Sequence, residues 1–248
     1  MGETPPLSIL LHDEDLVCIL KPAGFHVHQP ERPRRRVATN IVCLAKLRDQ
    51  IGAHVHPVHR LDVATSGALL FALTKDAASQ MGQAFRHGRI LKTYYAIVRG
   101  HPPDAGEIDE PLRSDSSDEM LAARTTFETL ARAELPALIG RRRLPARYAL
   151  VRARPETGRF HQIRRHFARK AHPLIGDAAH GDSYHNRFFR EELGVRGLML
   201  QARGLKFLHP RTGEPVEIEA PFSDAFVLAC QRAGLAYEFT ESRCARFA

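Results

Sequence analysis

The stretch HRLDVATSGALLFA, residues 59–72, places His59, Arg60 and Asp62 at the mouth of an apolar run. The run ALLFAL reads as a strand covered on both sides. Charged groups are costly to take out of water unless they are paired or used. A carboxylate beside such a strand drifts toward its neutral form unless a cation or several donors hold it ionised. The rest of the chain must therefore supply a partner for Asp62, a use for it, or both.

Upstream, EDLVCILKPAG predicts a strand over 16–20, stopped by Lys21-Pro22 and a glycine turn. A proline-punctuated basic loop ends in Arg34, Arg35 and Arg36. Val37, Ile41, Leu44, Leu47 and Ile51 then recur at helical spacing. Downstream, Thr74 caps a helix running to His87, with Gly88 as its stop. LKTYYAIVRG alternates, so Lys92, Tyr94, Ala96 and Val98 share one face while Thr93, Tyr95 and Ile97 share the other.

Over 102–147 the pattern weakens. RSDSSDE and GRRRLPAR, which carries Arg141, Arg142 and Arg143, read as loops of a peripheral region. A strand over 148–154 leads through Pro-Glu-Thr-Gly into a short amphipathic helix. Phe160, Ile163 and Phe167 form its buried stripe, leaving His161, Arg164, Arg165 and Ala168 on other faces. GLMLQARGLKFLHPRTGEPVEIEAP reads as consecutive strands turning at 211–213, and 222–233 as a closing helix. Strands joined by both hairpins and helices, without regular βαβ alternation, predict a single α+β domain around a mixed, mostly antiparallel sheet.

Of the 248 residues, 44% are hydrophobic and 26% charged, the balance of a soluble globular protein. The net charge of +8 points to a polyanionic partner, with nucleic acid the first candidate. Cys18, Cys43, Cys230 and Cys244 are scattered, without CxxC or zinc-like spacing, and read as reduced thiols of a cytoplasmic protein. MGETPPLSIL has no signal-peptide pattern, and no apolar run approaches the ~20 residues of a membrane helix.

Asp62 is the leading candidate for chemistry. Arg164 or Arg165 on the arginine-rich helix could reach it after folding, and a purely structural Asp–Arg pair is the plain alternative. Tyr94 shares its face with Lys92 and could be a core tyrosine with a polar handle. His54, His56 and His59 form H-x-H-x-x-H, but without accompanying acidic or cysteine ligands they do not make a metal site. Ser66 lacks the surround of a nucleophile elbow. Neither a Walker A loop nor a dinucleotide-binding glycine fingerprint occurs, so no cofactor is indicated. One carboxylate, an arginine-rich helix, a tyrosine and a basic surface suit a cofactor-free reaction on a nucleic acid.

HRLDVATSGALLFA resembles the signature of the RluA-type pseudouridine synthases, in which H-R-L-D precedes T-S-G and an apolar strand. LVCILKPAGFHVH, KTYYAIVRG, TGRFHQIRRHFARKAHPLIGD and LMLQARGLKFLHPRTGEPVEIEAP match the same family in the same order, with Gln201 where histidine is commoner. The resemblance runs from about residue 16 to 222 and is weakest over 102–147. It implies that Asp62 is the essential aspartate facing the ribose and that Tyr94 lies against the uracil. It also implies that Arg164 pairs with the aspartate, and that Arg60 helps to hold the flipped-out nucleotide's place.

The resemblance further implies a pseudouridine-synthase fold with its active-site cleft across the sheet, and no metal, nucleotide or redox partner. The catalytic blocks begin almost at residue 11, so no S4-like RNA-binding domain is expected before them. HGD…HNRFFRE is more similar to the tRNA-modifying members than to the ribosomal-RNA ones. That similarity implies uridine 65, in the T-arm stem of tRNA, as the target. Ribosomal RNA is the alternative within the family, and a non-catalytic RNA-binding module the alternative outside it. Arg34, Arg35, Arg36, Arg141, Arg142 and Arg143 are the candidate phosphate contacts, and no obligatory protein partner is implied.

Overall fold

The computed structural model describes residues 5–29, 38–140, 143–239 and 244–246. Arg34, Arg35, Arg36, Arg141 and Arg142 lie outside them. The chain begins with β1 (Ile9–His12) and β2 (Leu16–Lys21), then α1 (Cys43–Ile51), β3 (His56–Pro57), β4 (Ser66–Ala72) and α2 (Lys75–Arg86). Five strands follow: β5 (Leu91–Arg99), β6 (Ala105–Asp109), β7 (Leu112–Arg113), β8 (Met120–Leu121) and β9 (Arg124–Ile139). After β10 (Leu144–Pro155) come α3 (Gln162–Arg169), α4 (Ser183–Glu191), β11 (Leu200–Leu208), β12 (Pro215–Glu219), α5 (Asp224–Arg232) and β13 (Cys244–Arg246). The α+β class with a mostly antiparallel sheet is the one expected.

The described residues divide into two compact units. One gathers the chain up to Leu91 with Ala202–Pro221 and β13; the other holds Lys92–Gln201 and the segment from Phe222. In the first unit the strand order is β1-β2-β4-β11-β12-β13, with β3 also on β4. β4 is buried from Gly67 to Ala72, as its unbroken apolar run requires. Leu16, Cys18, Leu70, Met81, Leu205 and Ile218 close one core over it, with α2 as a lid. Thr74 caps α2 as expected, its hydroxyl accepting from the Ala77 amide at 3.1 Å.

In the second unit the order is β5-β10-β9-β6, and the alternation of β5 is realised. Tyr95 and Ile97 join Tyr148, Leu150, Phe189 of α4 and Phe226 of α5 on one face. Ala96 and Val98 join Ala149, Val151, and Ile163 and Phe167 of α3 on the other. Helices therefore cover both faces of β5 and β10. Each fully buried leucine or phenylalanine in these cores contributes about 1.5–3 kcal/mol.

Two expectations are corrected, and one element is new. The 102–147 region is more than a periphery: RSDSSDE is the expected loop between β7 and β8, but GRRRLPAR runs into β10 at Leu144, and β9, at 16 residues, is the longest described strand. Its inward positions are mostly small, with Ala131, Ala133, Leu135 and Ala137 only partly buried. Arg132, Glu134 and Pro136 alternate with them, so the hydrophobic period is diluted and the composition is not strand-like. Phe160 does not belong to the buried stripe of α3. It precedes the helix and is 39% exposed, because His161 takes φ 52° and breaks the helical path between them. α4 was not anticipated from hydrophobic period, and its start is set by the Asp182 carboxylate accepting from the Tyr184 and His185 amides.

Candidate active site

Asp62 lies just before β4, half-buried, in a tight turn closed by the Thr65 amide donating to the Asp62 carbonyl at 3.0 Å. The turn is held from below by Lys21, at the end of β2 and opposite Gly67 in the ladder. Lys21 is fully buried. Its ammonium donates to the carbonyls of Pro22 (2.9 Å), Val63 (3.1 Å) and Thr65 (2.8 Å), and the Gly24 amide adds a second bond to the Val63 carbonyl at 2.7 Å. Burial pushes the Lys21 ammonium down to about 8, against the charges of Cys43 and Asp62, which favour its charged form. A cation thus sits under the aspartate turn, satisfied mainly by backbone dipoles.

The Thr-Ser-Gly of the motif has a steric cause. Gly67 has φ +119°, and a Cβ built there would lie 2.0 Å from the Ala202 carbonyl oxygen of β11. Only glycine admits that approach. His59 is also used structurally: its Nε2 accepts from the Leu70 amide at 2.9 Å and its ring stacks on Phe85 at 4.3 Å. Arg60, next to it, is exposed.

In the second unit Tyr94 is half-buried on β5, packed on the cluster that contains Ile163 and Phe167. Two residues earlier Lys92 is buried, and its Nζ donates to the Thr157 carbonyl at 2.8 Å. Burial pushes it down to about 8. From Thr157 a chain of hydrogen bonds locks the entry to α3. The Thr157 hydroxyl donates to Gln162 Oε1 at 2.7 Å, and Gln162 Nε2 donates to the Arg124 carbonyl and the Thr125 hydroxyl oxygen. His166 Nδ1 meets the same Thr125 hydroxyl at 3.0 Å. Burial lowers the His166 pKa, against the Glu110 carbonyl and carboxylate, which favour the charged ring.

Arg164 is buried, and its partner was not foreseen. Asp177 binds it as a fork, Nε to Oδ2 and Nη2 to Oδ1, both at 2.7 Å. The Asp177 Oδ1 also accepts from the Ala179 and His180 amides at 2.9 and 3.0 Å. Burial works to raise the Asp177 pKa; the Arg164 bonds and those amides outweigh it and hold the carboxyl below its usual range. Asn186 of α4 fixes this loop, accepting from the Gly176 amide and donating to the Asp177 carbonyl. Gly176 is required there, since a Cβ would meet the Gly197 carbonyl oxygen at 1.7 Å.

The second-unit candidates Tyr94 and Arg164 thus flank one core cluster, while Asp62 and Arg60 sit on the turn that Lys21 braces. Arg143 is exposed at the turn between β9 and β10. Lys21, Lys92 and Asp177 support the candidate positions, and the sequence analysis does not single them out as candidates. The sequence does carry a signal for the first: a lysine closing an apolar strand must find acceptors as well as mark the strand's end.

Among the described residues, Asp13, Asp15 and His209 bring possible ligand atoms within 4.8 Å of one another. Arg211 Nε already lies 2.7 Å from Asp15 Oδ2, so a guanidinium fills the cation's place. No described helix is long and apolar enough to cross a membrane.

Comparison with known proteins gives this geometry a family. Residues 15–169 match the family model described as RNA pseudouridylate synthase. The chain is 42% identical over 230 residues to tRNA pseudouridine synthase C of Vibrio cholerae, covering 89% of this chain and 93% of that protein. It is 42% identical over 223 residues to the protein of the same name from Haemophilus ducreyi, covering 86% and 90%. The solved structure of human RNA Pseudouridylate Synthase Domain Containing 4 superposes with a TM-score of 0.70 at 25% identity, over 93% of this chain and 94% of that one. The chain therefore belongs to the RNA pseudouridylate synthase family, whose members are isomerases acting on RNA.

Proposed function

We propose that this enzyme isomerises uridine to pseudouridine in tRNA, at position 65 of the T-arm stem, and does so in the cytoplasm. The observation that carries the substrate is the 42% identity, over nearly the whole chain, to tRNA pseudouridine synthase C of Vibrio cholerae. A stacked uridine hides its C1′, so the nucleotide is flipped out of the helix for the reaction. Asp62 works at the ribose, as nucleophile at C1′ or as base at the 2′ position. The N1–C1′ bond breaks, the uracil turns, C5 bonds to C1′, and the C5 proton is lost while N1 regains one. Reactant and product are isomers.

Tyr94 holds the uracil through the turn, and Arg60 helps to keep the vacated place in the stem. Arg164 is the basic partner of Asp62. Asp177 takes the Nε–Nη2 edge of that guanidinium, which fixes the direction of its remaining donors. Arg143, with Arg34, Arg35, Arg36, Arg141 and Arg142, contributes phosphate contacts, and such contacts position the RNA without reading its sequence.

The test is pseudouridine formation on a tRNA transcript and on ribosomal-RNA hairpins at matched salt. Wild-type enzyme should modify the tRNA faster, at position 65. Asp62→Asn, folded and still binding RNA, should form no product. Turnover by Asp62→Asn would sink the assignment of the aspartate, and efficient modification of ribosomal RNA with untouched tRNA would sink the substrate.

A further inference from the structure

Phe160 and His161 stack on each other, with ring centroids 3.7 Å apart and planes within 20°. Neighbouring residues point about 100° apart on a helix and to opposite faces of a strand, so consecutive rings do not ordinarily stack. Here φ 52° at His161 folds one ring over the other, a conformation that strains any residue with a Cβ. His161 is held in turn, its Nδ1 3.0 Å from His180 Nε2. Phe160, backed by this fixed imidazole, remains 39% exposed. An apolar ring left in solvent on a locked support is a poor contribution to a core and a good surface for another flat ring.

The surroundings fit a nucleic acid. Arg159 precedes the ring, its Nε anchored to the Ala122 carbonyl at 2.9 Å. Arg165 Nη1 is anchored to the carbonyls of Arg113 (2.8 Å) and Phe160 (3.3 Å), which leaves most of each five-donor fork to other partners. Acidic groups are near too. Asp118 pairs with Arg113 and so occupies it, and the Asp115 charge acts on Arg165 in opposition to that of Arg169. Within the same unit the platform is also linked to Arg164. The His180 amide donates to the same Asp177 carboxylate that holds Arg164.

We propose that Phe160, supported by His161 and His180, is a stacking platform for an RNA base adjacent to the target uridine, with Arg159 and Arg165 on the phosphates beside it. The inference rests on the reading of the enzyme as a tRNA-modifying synthase and adds a subsite to it. Flipping one nucleotide out of a stem unstacks its neighbours, and an aromatic face can take up a displaced base whatever its identity.

The experiment measures binding of a T-arm stem-loop transcript to wild type, Phe160→Ala and Phe160→Trp. It is repeated with transcripts carrying a single abasic sugar at each position flanking uridine 65. Phe160→Ala should weaken binding about 5- to 100-fold, and Phe160→Trp should bind within about twofold of wild type. One abasic position should weaken wild type by that same factor and leave Phe160→Ala unaffected. Wild-type affinity in Phe160→Ala, or losses that simply multiply at every position, would overturn the platform.

Thermal melts identify a variant that does not fold. In that case Phe160→Trp carries the test: its larger ring must hold the intact RNA at least as well as phenylalanine and lose that hold at one abasic position. Equal binding to intact and abasic RNA would overturn the proposal. The two readings fail differently. A wild-type enzyme that forms no pseudouridine in any RNA refutes the function, whereas an active enzyme indifferent to Phe160 refutes only the platform.

Discussion

Lys92 ends a long aliphatic stem inside the protein with its ammonium on the Thr157 carbonyl, and burial alone pushes it from 10.5 to about 8. Below pH 8 the folded and unfolded chains both carry that proton, so it adds no pH dependence. Between about 8 and 10.5 the unfolded chain keeps a proton that the folded chain has released, and stability rises with pH. The full rise is on the order of 3 kcal/mol. Urea unfolding at pH 7.5 and 9.5 should therefore show wild type gaining on Lys92→Met by about 1–2 kcal/mol at the higher pH. A constant difference would mean that the amine is not buried in its charged form.

Asp177 has the opposite role. It neutralises a buried guanidinium, and removing one partner of such a pair costs about 3–5 kcal/mol. Asp177→Asn should lower the unfolding free energy by that order. It should also shift the acid limb of the kcat profile, because Arg164 then stands in a different field. A folded variant with an unmoved profile would make Asp177 purely structural.

At the scale of elements, the meeting of β4 and β11 is set by one missing Cβ. Gly67 needs both its φ of +119° and the space taken by the Ala202 carbonyl. Gly67→Ala should cost more than a typical core substitution, upward of about 3 kcal/mol. It should show as loss of soluble protein or a strongly lowered melting temperature, and a near-native melt would contradict the packing. The strongly patterned elements were legible: β2, β4, α2, β5 and the β11–β12 hairpin carry clear periods, a cap, or a turn. β9 was not, because a strand lined with half-buried alanines looks like neither a core strand nor a loop. Helical spacing extended back to Phe160 places it on the wrong surface, because the backbone sets His161 at positive φ.

For the whole molecule, the +8 net charge makes an electrostatic prediction about RNA. Each phosphate neutralised releases counterions, so log affinity should fall with log salt by about 0.7 to 0.9 per contact. Replacing Arg34, Arg35 and Arg36 together by alanine should flatten that slope by roughly 2 to 3 if all three touch phosphate. An unchanged slope in anisotropy titrations would move the contacts elsewhere, and Arg159 and Arg165 would be the next pair to change.

The sequence by itself determined the chemistry class. H-R-L-D before T-S-G, K-T-Y-Y and H-Q-I-R are each contiguous runs, so the family they resemble is legible before the chain folds. It also determined the elements whose hydrophobic period is strong, since a period is a local property. Only the tertiary structure decided what satisfies the buried charges. Lys21 finds carbonyls 42 and 44 residues away, Lys92 finds one 65 residues away, and Arg164 finds Asp177 across a loop. Such partners are chosen by the desolvation cost of leaving a charge unmatched once the chain has closed around it, and nothing in the local sequence of either residue encodes that choice.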